Sequence, residues 1–464
     1  MVRSGDPMNV NTGPPGGTET VNSPHARKVL LSSLIGSTVE WYEFFIYGTA
    51  ASLVLGDLFF PGFDPLTGTL LSLSTFAIAF LARPIGGLVF GHFGDRIGRK
   101  SMLVLTLTMM GAATFAIGLL PTYDQIGVGA PLLLVLVRIV QGFSLGGEYG
   151  GAVLMSVEHA DPRRRGLFGA VVNTGIGWGL LLANLLFLAL TRLPDEDFRS
   201  WGWRIPFLFS AVLVAIGLFI RLKVAESPDF EAARRAEGSR REKAPPVVEV
   251  LRHHLAKVGL MSVAYLATGA VFYIATVFSL GYGTDHAGVG EDEMLALVLA
   301  GTALTIVAIP LFGWWSDRLG RRGSEAQAAS RKRLFLAGVA GMTVLPYAWF
   351  GLLDSGIWTL RLLGFLALFA VWSATYATMP TFFAHIFPVE VRYTGLSAGY
   401  TLGTVLGGGF APMIATWLLD RTGDWTAVAL YMSAAGVLSF AAALLLKERQ
   451  EEKADRGEPA TLVQ

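Results

Sequence analysis

From Val29 to Leu446 the chain is a succession of long apolar runs separated by short polar breaks. A helix needs about 20 apolar residues to cross the hydrocarbon core of a bilayer. Twelve runs meet that length, near residues 29–56, 70–91, 101–120, 131–155, 167–191, 203–222, 257–281, 294–316, 333–353, 357–385, 394–419 and 426–446. When the breaks are assigned alternately to the two sides, most Lys and Arg fall on the side of the N-terminus, while Arg192, Arg199, Arg204, Arg361 and Arg421 fall opposite. Positive charge gathers on the cytoplasmic side of such spans, so both termini are expected in the cytoplasm. The longest break, 223–256, is charged, holds a helix-prone stretch from Glu231 to Arg241, and divides the runs six plus six. The predicted organisation is a cytoplasmic tail at 1–28, a bundle at 29–222, a linker at 223–256, a second bundle at 257–446 and a tail at 447–464. The first tail is rich in Gly, Pro, Thr and Ser without an apolar core, which reads as disorder rather than as a cleavable signal.

Composition agrees with the pattern and narrows the chemistry. Hydrophobic residues make up 53% of the 464, charged ones 15%, and the mean hydropathy is +0.53, too apolar for a domain that clothes itself in water. The absence of cysteine excludes disulfides and thiolate metal sites, and a net charge of +1 gives no basic field for nucleic acid. The seven histidines are dispersed, with His253 and His254 in the linker. No metal-ligand cluster, nucleophile motif or phosphate loop appears, so no cofactor is expected and an enzyme or a sensor has little support.

One string occurs twice. "GHFGDRIGRK" at Gly91–Lys100 follows the second run, and "GWWSDRLGRR" at Gly313–Arg322 follows the eighth, the equivalent place in the other half. Parallel internal repeats of this kind are a transporter arrangement. The doubled loop resembles the signature of the major facilitator superfamily. "VEWYEFFIYGTAA", "LARPIGGLVFGHFGDRIGRK", "RIVQGFSLGGEYGGA", "SWGWRIPFLFSAVLV", "ESPDF" and "VRYTGLSAGYTLGTVLGGGFAP" are similar to its metabolite:proton symporter family. The resemblance implies an all-α membrane protein of twelve transmembrane helices, in two six-helix bundles related by a pseudo-two-fold axis. It also implies a monomer in a bacterial inner membrane that moves a proton together with a small carboxylate-bearing metabolite by alternating access. Carriers of shikimate, 2-oxoglutarate, citrate, and proline or betaine belong to that family. An antiporter of drugs or organic acids is the alternative within the same fold. Two departures stand out: Glu43 occupies a position where the family more often has Asp, and the connection from Ser316 to Arg333 reads as long and charged.

Five charges lie well inside the runs: Glu40, Glu43, Arg83, Arg138 and Glu148. Each costs about 2.5–3.5 kcal/mol at the centre of a span, so each is a candidate for function. Glu40 and Glu43, three residues apart, occupy neighbouring parts of one helical face, where low dielectric and mutual repulsion favour holding a proton. Pairing with Arg83 or Arg138 to lock helices together is the other role open to them. Arg83 and Arg138 are candidate anion anchors, because a guanidinium grips a carboxylate through two parallel hydrogen bonds. Tyr149 shares the face of Arg138, whereas Glu148 is turned about 80° away and is a proton-relay candidate.

The second half has no mid-span charge. Tyr265, Tyr273, Trp372, Tyr376 and Tyr400, with Asn173 and Trp178 from the fifth run, are candidate walls of the binding site. In the repeated loop, Asp95 is positioned to cap the helix that begins near Arg392, as the resemblance implies, and Asp317 to do the symmetrical job. Arg96 and Arg99, with Arg318 and Arg321 opposite, complete the expected gate, with Glu158 as an acidic partner.

Overall fold

The computed structural model describes residues 24–62, 65–190, 192–227, 230–232 and 245–448. Most of both expected tails, and residues 233–244 of the linker with most of its helix-prone stretch, lie outside these. Among the described residues every regular element is helical, and twelve helices are long and apolar enough to cross a membrane. They are α1 (Pro24–Ala50), α2 (Pro65–Ile97), α3 (Arg99–Leu119), α4 (Gly129–Glu158), α5 (Arg165–Asn173 and Gly175–Leu190), α6 (Ile205–Leu222), α7 (Leu255–Tyr273), α8 (Glu291–Leu319), α9 (Ser324–Leu353), α10 (Trp358–Ala384), α11 (Arg392–Thr404 and Ala411–Thr422) and α12 (Thr426–Leu445). Their outer faces carry strongly exposed apolar side chains, such as Leu132 and Val307 at 67% and Val344 at 69%. Water penalises such a surface and lipid does not.

The two halves meet along α2 against α11 and α5 against α8, the same helix pairing written twice. Close approach inside the first half rests on small residues. A Cβ at Gly146 of α4 would lie 2.1 Å from the Arg83 carbonyl oxygen and 2.4 Å from the Gly87 nitrogen, so α2 and α4 touch backbone to backbone. Four helices at equivalent places in the halves are irregular. α1 runs into a π turn at Ala51–Leu55 and α7 at Ile274–Phe278, while α5 breaks at Thr174 and α11 runs into a π turn at Val405–Gly409. Such turns are tolerated at membrane depth because neighbouring helices cover the loosened backbone.

The structure corrects the reading of the connection between α8 and α9. Helix continues to Leu319 and resumes at Ser324, leaving only Gly320–Gly323 between them. The polar residues after Ser324 are helical because an α-helix satisfies its own backbone bonds whether its side chains meet lipid or water. The linker also contains a short helix, Pro246–His253, with Val250 buried, which packs against α2 and α11.

Candidate functional site

Glu40 and Glu43 both lie on α1. They share a face but enter different networks. Glu43 is fully buried, and its Oε2 accepts a 2.8 Å hydrogen bond from the Thr114 hydroxyl of α3. Thr114 also receives the amide of Gln141 at 2.7 Å, and the carbonyl oxygen of that amide accepts from Arg138 on α4. Because arginine only donates, this fixes the orientation of the Gln141 amide. Arg138 is fully buried with its guanidinium 3.7 Å from the centre of the Tyr47 ring. Arg138 therefore reaches Glu43 through two neutral side chains, within the first bundle.

Glu148 has a different partner. It forms an ion pair with Arg221 at the end of α6, and its Oε2 accepts from Thr106 at 2.7 Å. Arg221 also donates to the Leu103 carbonyl at 2.8 Å. Neither Thr114, Gln141 nor Arg221 was singled out by the sequence reading. The first two are neutral, and Arg221 sits where basic residues ordinarily set topology.

Arg83 and Glu40 occupy the boundary between the halves. Arg83 is 3% exposed, and its guanidinium lies 5.0 Å from the Phe44 ring centre and 4.5 Å from that of Phe80. It makes no ion pair or hydrogen bond among the described residues, and its Nε is buried without an acceptor. Both rings meet Tyr273 of the second half edge-on, at 6.4 and 5.8 Å. Glu40 is 5% exposed, accepts no hydrogen bond among the described residues, and lies within electrostatic reach of Arg83, Glu148 and Arg221.

The aromatic candidates form the adjoining wall. Tyr149 and Tyr400 stack across the halves at 3.7 Å, and Tyr265 meets Tyr400 edge-on at 5.2 Å. Trp372 stacks on Tyr376 at 4.4 Å, but its indole N–H donates to the Thr268 carbonyl at 2.8 Å and is occupied. Asn173 donates across the halves to the Tyr376 carbonyl at 2.6 Å. The hydroxyl of Tyr376 is buried and makes no hydrogen bond among the described residues, the condition of a group that awaits a polar partner, while the buried hydroxyl of Tyr149 lies beside the Asn173 amide. Trp178 is a correction: it is 43% exposed, because the buried line of α5 runs through Gly177 and Gly179 and turns Trp178 away from the wall.

At the end of the bundle where the repeated loops lie, the two repeated aspartates do the same thing. Asp95 accepts from the backbone N–H groups of Tyr393 and Thr394 at 3.1 and 2.9 Å and from the Thr394 hydroxyl at 2.7 Å, at the N-terminus of α11. Asp317 accepts from the N–H groups of Gly166 and Leu167 at 2.9 and 2.8 Å, at the N-terminus of α5. Each carboxylate meets the unsatisfied donors and positive end of a helix in the opposite half. Glu158 joins Arg99 and Arg392, both at 3.3 Å, and so ties the halves a third time. Arg96, Arg318 and Arg321 are exposed and form no ion pair among the described residues. A buried basic residue of the second half lies instead at Arg331 of α9, paired with Glu448 at 3.2 Å, nine positions beyond the loop string and invisible to a motif. Replacing Asp95 and Asp317 together by alanine is expected to open this face, since each cap contributes about 0.5–2 kcal/mol. The chain has no cysteine, so a single one introduced at buried Ser397 reports the change: its labelling from the side of the repeated loops should rise in the double variant.

His385, just after α10, adds a pH dependence. Its Nδ1–H donates to the Thr381 carbonyl at 2.6 Å, which leaves Nε2 to accept from Arg165 of the other half at 3.2 Å. Burial, followed by the charges of Arg331, Arg165 and Arg392, holds this imidazole well below its ordinary 6.5. The latched form therefore binds fewer protons than an open one in which His385 meets water. Latching is undiminished above about pH 6.5 and weakens as the pH on this side falls below it. Labelling of the same cysteine should rise on acidification, and His385→Gln should flatten that response.

The Major Facilitator Superfamily model matches residues 31–326 and 326–463. The chain is 43% identical over 434 residues to the inner membrane metabolite transport protein YhjE of Escherichia coli (strain K12), covering 92% of this chain and 95% of that protein. It is 39% identical to the shikimate transporter of the same organism, over 95% and 98% of the two chains. It is 32% identical to the glycine betaine/proline/ectoine/pipecolic acid transporter OusA of Dickeya dadantii (strain 3937), over 95% and 87%. The fold is also that of the proton:xylose symporter XylE solved with 6-bromo-6-deoxy-D-glucose, with a TM-score of 0.71 at 17% identity over 91% of this chain and 95% of that one. Twelve spans, a repeated loop that latches one half to the other, and full-length likeness to named transporters converge: the chain belongs to the Major Facilitator Superfamily, among its metabolite transporters, and is not an enzyme.

Proposed function

We propose that this protein is a proton-coupled symporter of a small carboxylate-bearing metabolite, working by alternating access in a bacterial inner membrane with both termini cytoplasmic. The observation that carries the reading is Arg83, a buried guanidinium between Phe44 and Phe80 at the junction of the halves, with no carboxylate bound to it among the described residues. A substrate carboxylate supplies the two acceptors it is built to hold. Tyr149 and Tyr376 offer hydroxyls, and the rings of Tyr273 and Tyr400 offer apolar faces to the rest of a small molecule.

Coupling follows from charge. While Arg83 has no anion, its positive field acts on Glu40 through space. A bound carboxylate cancels that field, and Glu40 then takes up a proton, so that anion and proton enter together as a neutral load. The loaded halves rock about α2–α11 and α5–α8, the aspartate caps release, and the site opens to the cytoplasm. The relatives named for shikimate and for proline and betaine support a small acid or zwitterion as substrate.

Reconstitution in proteoliposomes tests the reading. External pH is recorded while shikimate, 2-oxoglutarate, citrate, proline and betaine are added in turn. Alkalinisation with one compound identifies its class and establishes symport. Acidification would favour the antiport alternative, and vesicles shown intact and correctly oriented that stay silent across the panel would overturn proton coupling.

A further inference from the structure

The two halves repeat their latch further than the loop strings reach. Arg165 is the first residue of α5 and Arg392 the first of α11, and each of these helices is capped by an aspartate of the opposite half. Seven positions before Arg165 the chain has Glu158, at the end of α4, and seven before Arg392 it has His385, at the end of α10. The partners inside each half correspond too. Lys100 of α3 donates to the Leu222 carbonyl at the end of α6 at 2.9 Å, and Lys332 of α9 donates to the Leu444 carbonyl at the end of α12 at 2.8 Å. Arg331 is therefore the counterpart of Arg99, and His385 the counterpart of Glu158.

These equivalent places are filled differently. Glu158 is a carboxylate between Arg99 of its own half and Arg392 of the other, 3.3 Å from each. His385 is a buried imidazole that accepts from Arg165 of the other half at 3.2 Å while its Nδ1–H donates to the Thr381 carbonyl. The carboxylate that Arg331 meets is Glu448, which follows α12 in the same half and ties nothing across. One arm of the latch is thus an ion pair between halves, and the other a hydrogen bond to a neutral ring. Out of water, an ionised acceptor holds a guanidinium more strongly than a neutral one.

We propose that His385 sets how readily this face opens: it puts a neutral acceptor where the other half has Glu158, and a carboxylate in its place would complete a second ion pair and hold the halves shut. The charges that act on this position are all basic among the described residues: Arg331 of α9, Arg165 of α5 and Arg392 of α11. A carboxylate there stays ionised among them. Arg331 and Arg392 belong to the same half as α10, so Arg165 is the group that turns that charge into a tie between the halves. A carrier that opens here once in every cycle must break each such tie every time, and a neutral arm lowers what the opening has to overcome.

The inference rests on the reading that the halves part at this face, and it needs neither the substrate nor the coupled proton. The reporter is a single cysteine at Ser397, which lies at the junction: a Cβ at Gly87 of α2 would sit 3.2 Å from the Ser397 carbonyl oxygen. Its rate of reaction with a membrane-impermeant maleimide is measured from the side of the repeated loops above about pH 7, where the wild-type imidazole is neutral. His385→Glu is expected to lower that rate by about tenfold, the effect of an ion pair in place of a neutral hydrogen bond. His385→Gln has the same length without the charge and should react as the wild type does. Adding Arg165→Gln to His385→Glu removes the tie and should bring the rate back to that of Arg165→Gln alone. A His385→Glu protein that reacts as fast as His385→Gln, or faster, overturns the inference. Slowing that persists when Arg165 is also replaced is an effect of packing and overturns it too. If replacing Asp95 and Asp317 by alanine does not speed the reaction, the latch itself fails, and that result is distinct from a latch that opens but ignores residue 385.

Discussion

Arg83→Gln is expected to weaken substrate binding by about 30-fold or more, because truncating one partner of a buried charge pair costs about 2–5 kcal/mol. Arg83→Lys separates charge from shape. Lysine keeps the cation but loses the planar fork that holds both carboxylate oxygens and the flat faces that lie along Phe44 and Phe80. Cation–π contact alone contributes about 0.5–2 kcal/mol, so the lysine variant should bind between wild type and glutamine. The concentration dependence of substrate exchange, with no pH gradient imposed, measures this without involving proton movement. A glutamine variant with the wild-type KM for exchange would move the anchor elsewhere, and Arg138 would be the next guanidinium to replace. That outcome is disfavoured by geometry, since Arg138 is already engaged by Gln141 and Tyr47 inside one bundle.

The same contrast shows what the sequence makes legible. Hydropathy locates twelve spans because apolar length is a local property, and the six-plus-six division follows from one long break. Helix ends are less legible. The first turns of α9, from Ser324 to Lys332, look like loop to a hydropathy scan because they are polar, yet they are helix. The π turns at Ala51–Leu55 and Ile274–Phe278 leave no mark in composition, since they are answers to packing between helices distant in the chain. In the site, charge is conspicuous in an apolar run, so Glu40, Glu43, Arg83, Arg138 and Glu148 stand out at once. Their partners do not. Thr114 and Gln141 are ordinary polar residues, and only the fold brings them between Glu43 and Arg138. Arg221 and Arg331 are read as topology-setting charges, although burial against Glu148 and Glu448 makes them part of the interior. Trp178 is misplaced by a single angular step of 100° on α5, which is enough to exchange the inside of the wall for the outside.

Glu40→Gln is expected to leave exchange in place and abolish accumulation. A glutamine imitates the protonated carboxyl in size and neutrality but cannot release a proton, so the loaded state still forms and crosses while the empty state no longer carries the gradient. With one proton moved per substrate, a gradient of one pH unit is worth about 1.4 kcal/mol and concentrates a neutral load about tenfold. The variant should equilibrate to a ratio near one under the same gradient, and accumulation of labelled substrate in proteoliposomes reads the difference directly. Glu43→Gln is the informative companion. The Thr114 hydroxyl lies within hydrogen-bond distance of both Glu43 Oε2 and the Met110 carbonyl, at 2.8 and 3.0 Å, so by turning its single hydrogen it can donate to an ionised Glu43 or accept from a protonated one. Glu43 thus keeps a partner in either state, and substrate at Arg83 has little leverage over it. Glu40 has no such hydroxyl among the described residues and faces Arg83 through space, so in the proposed mechanism it is the carboxyl that answers to a bound anion. Accumulation should therefore survive Glu43→Gln and be lost in Glu40→Gln. The reverse result would transfer the coupled proton to the Glu43–Thr114–Gln141–Arg138 chain and leave Glu40 as the counter-charge that keeps Arg83 in place.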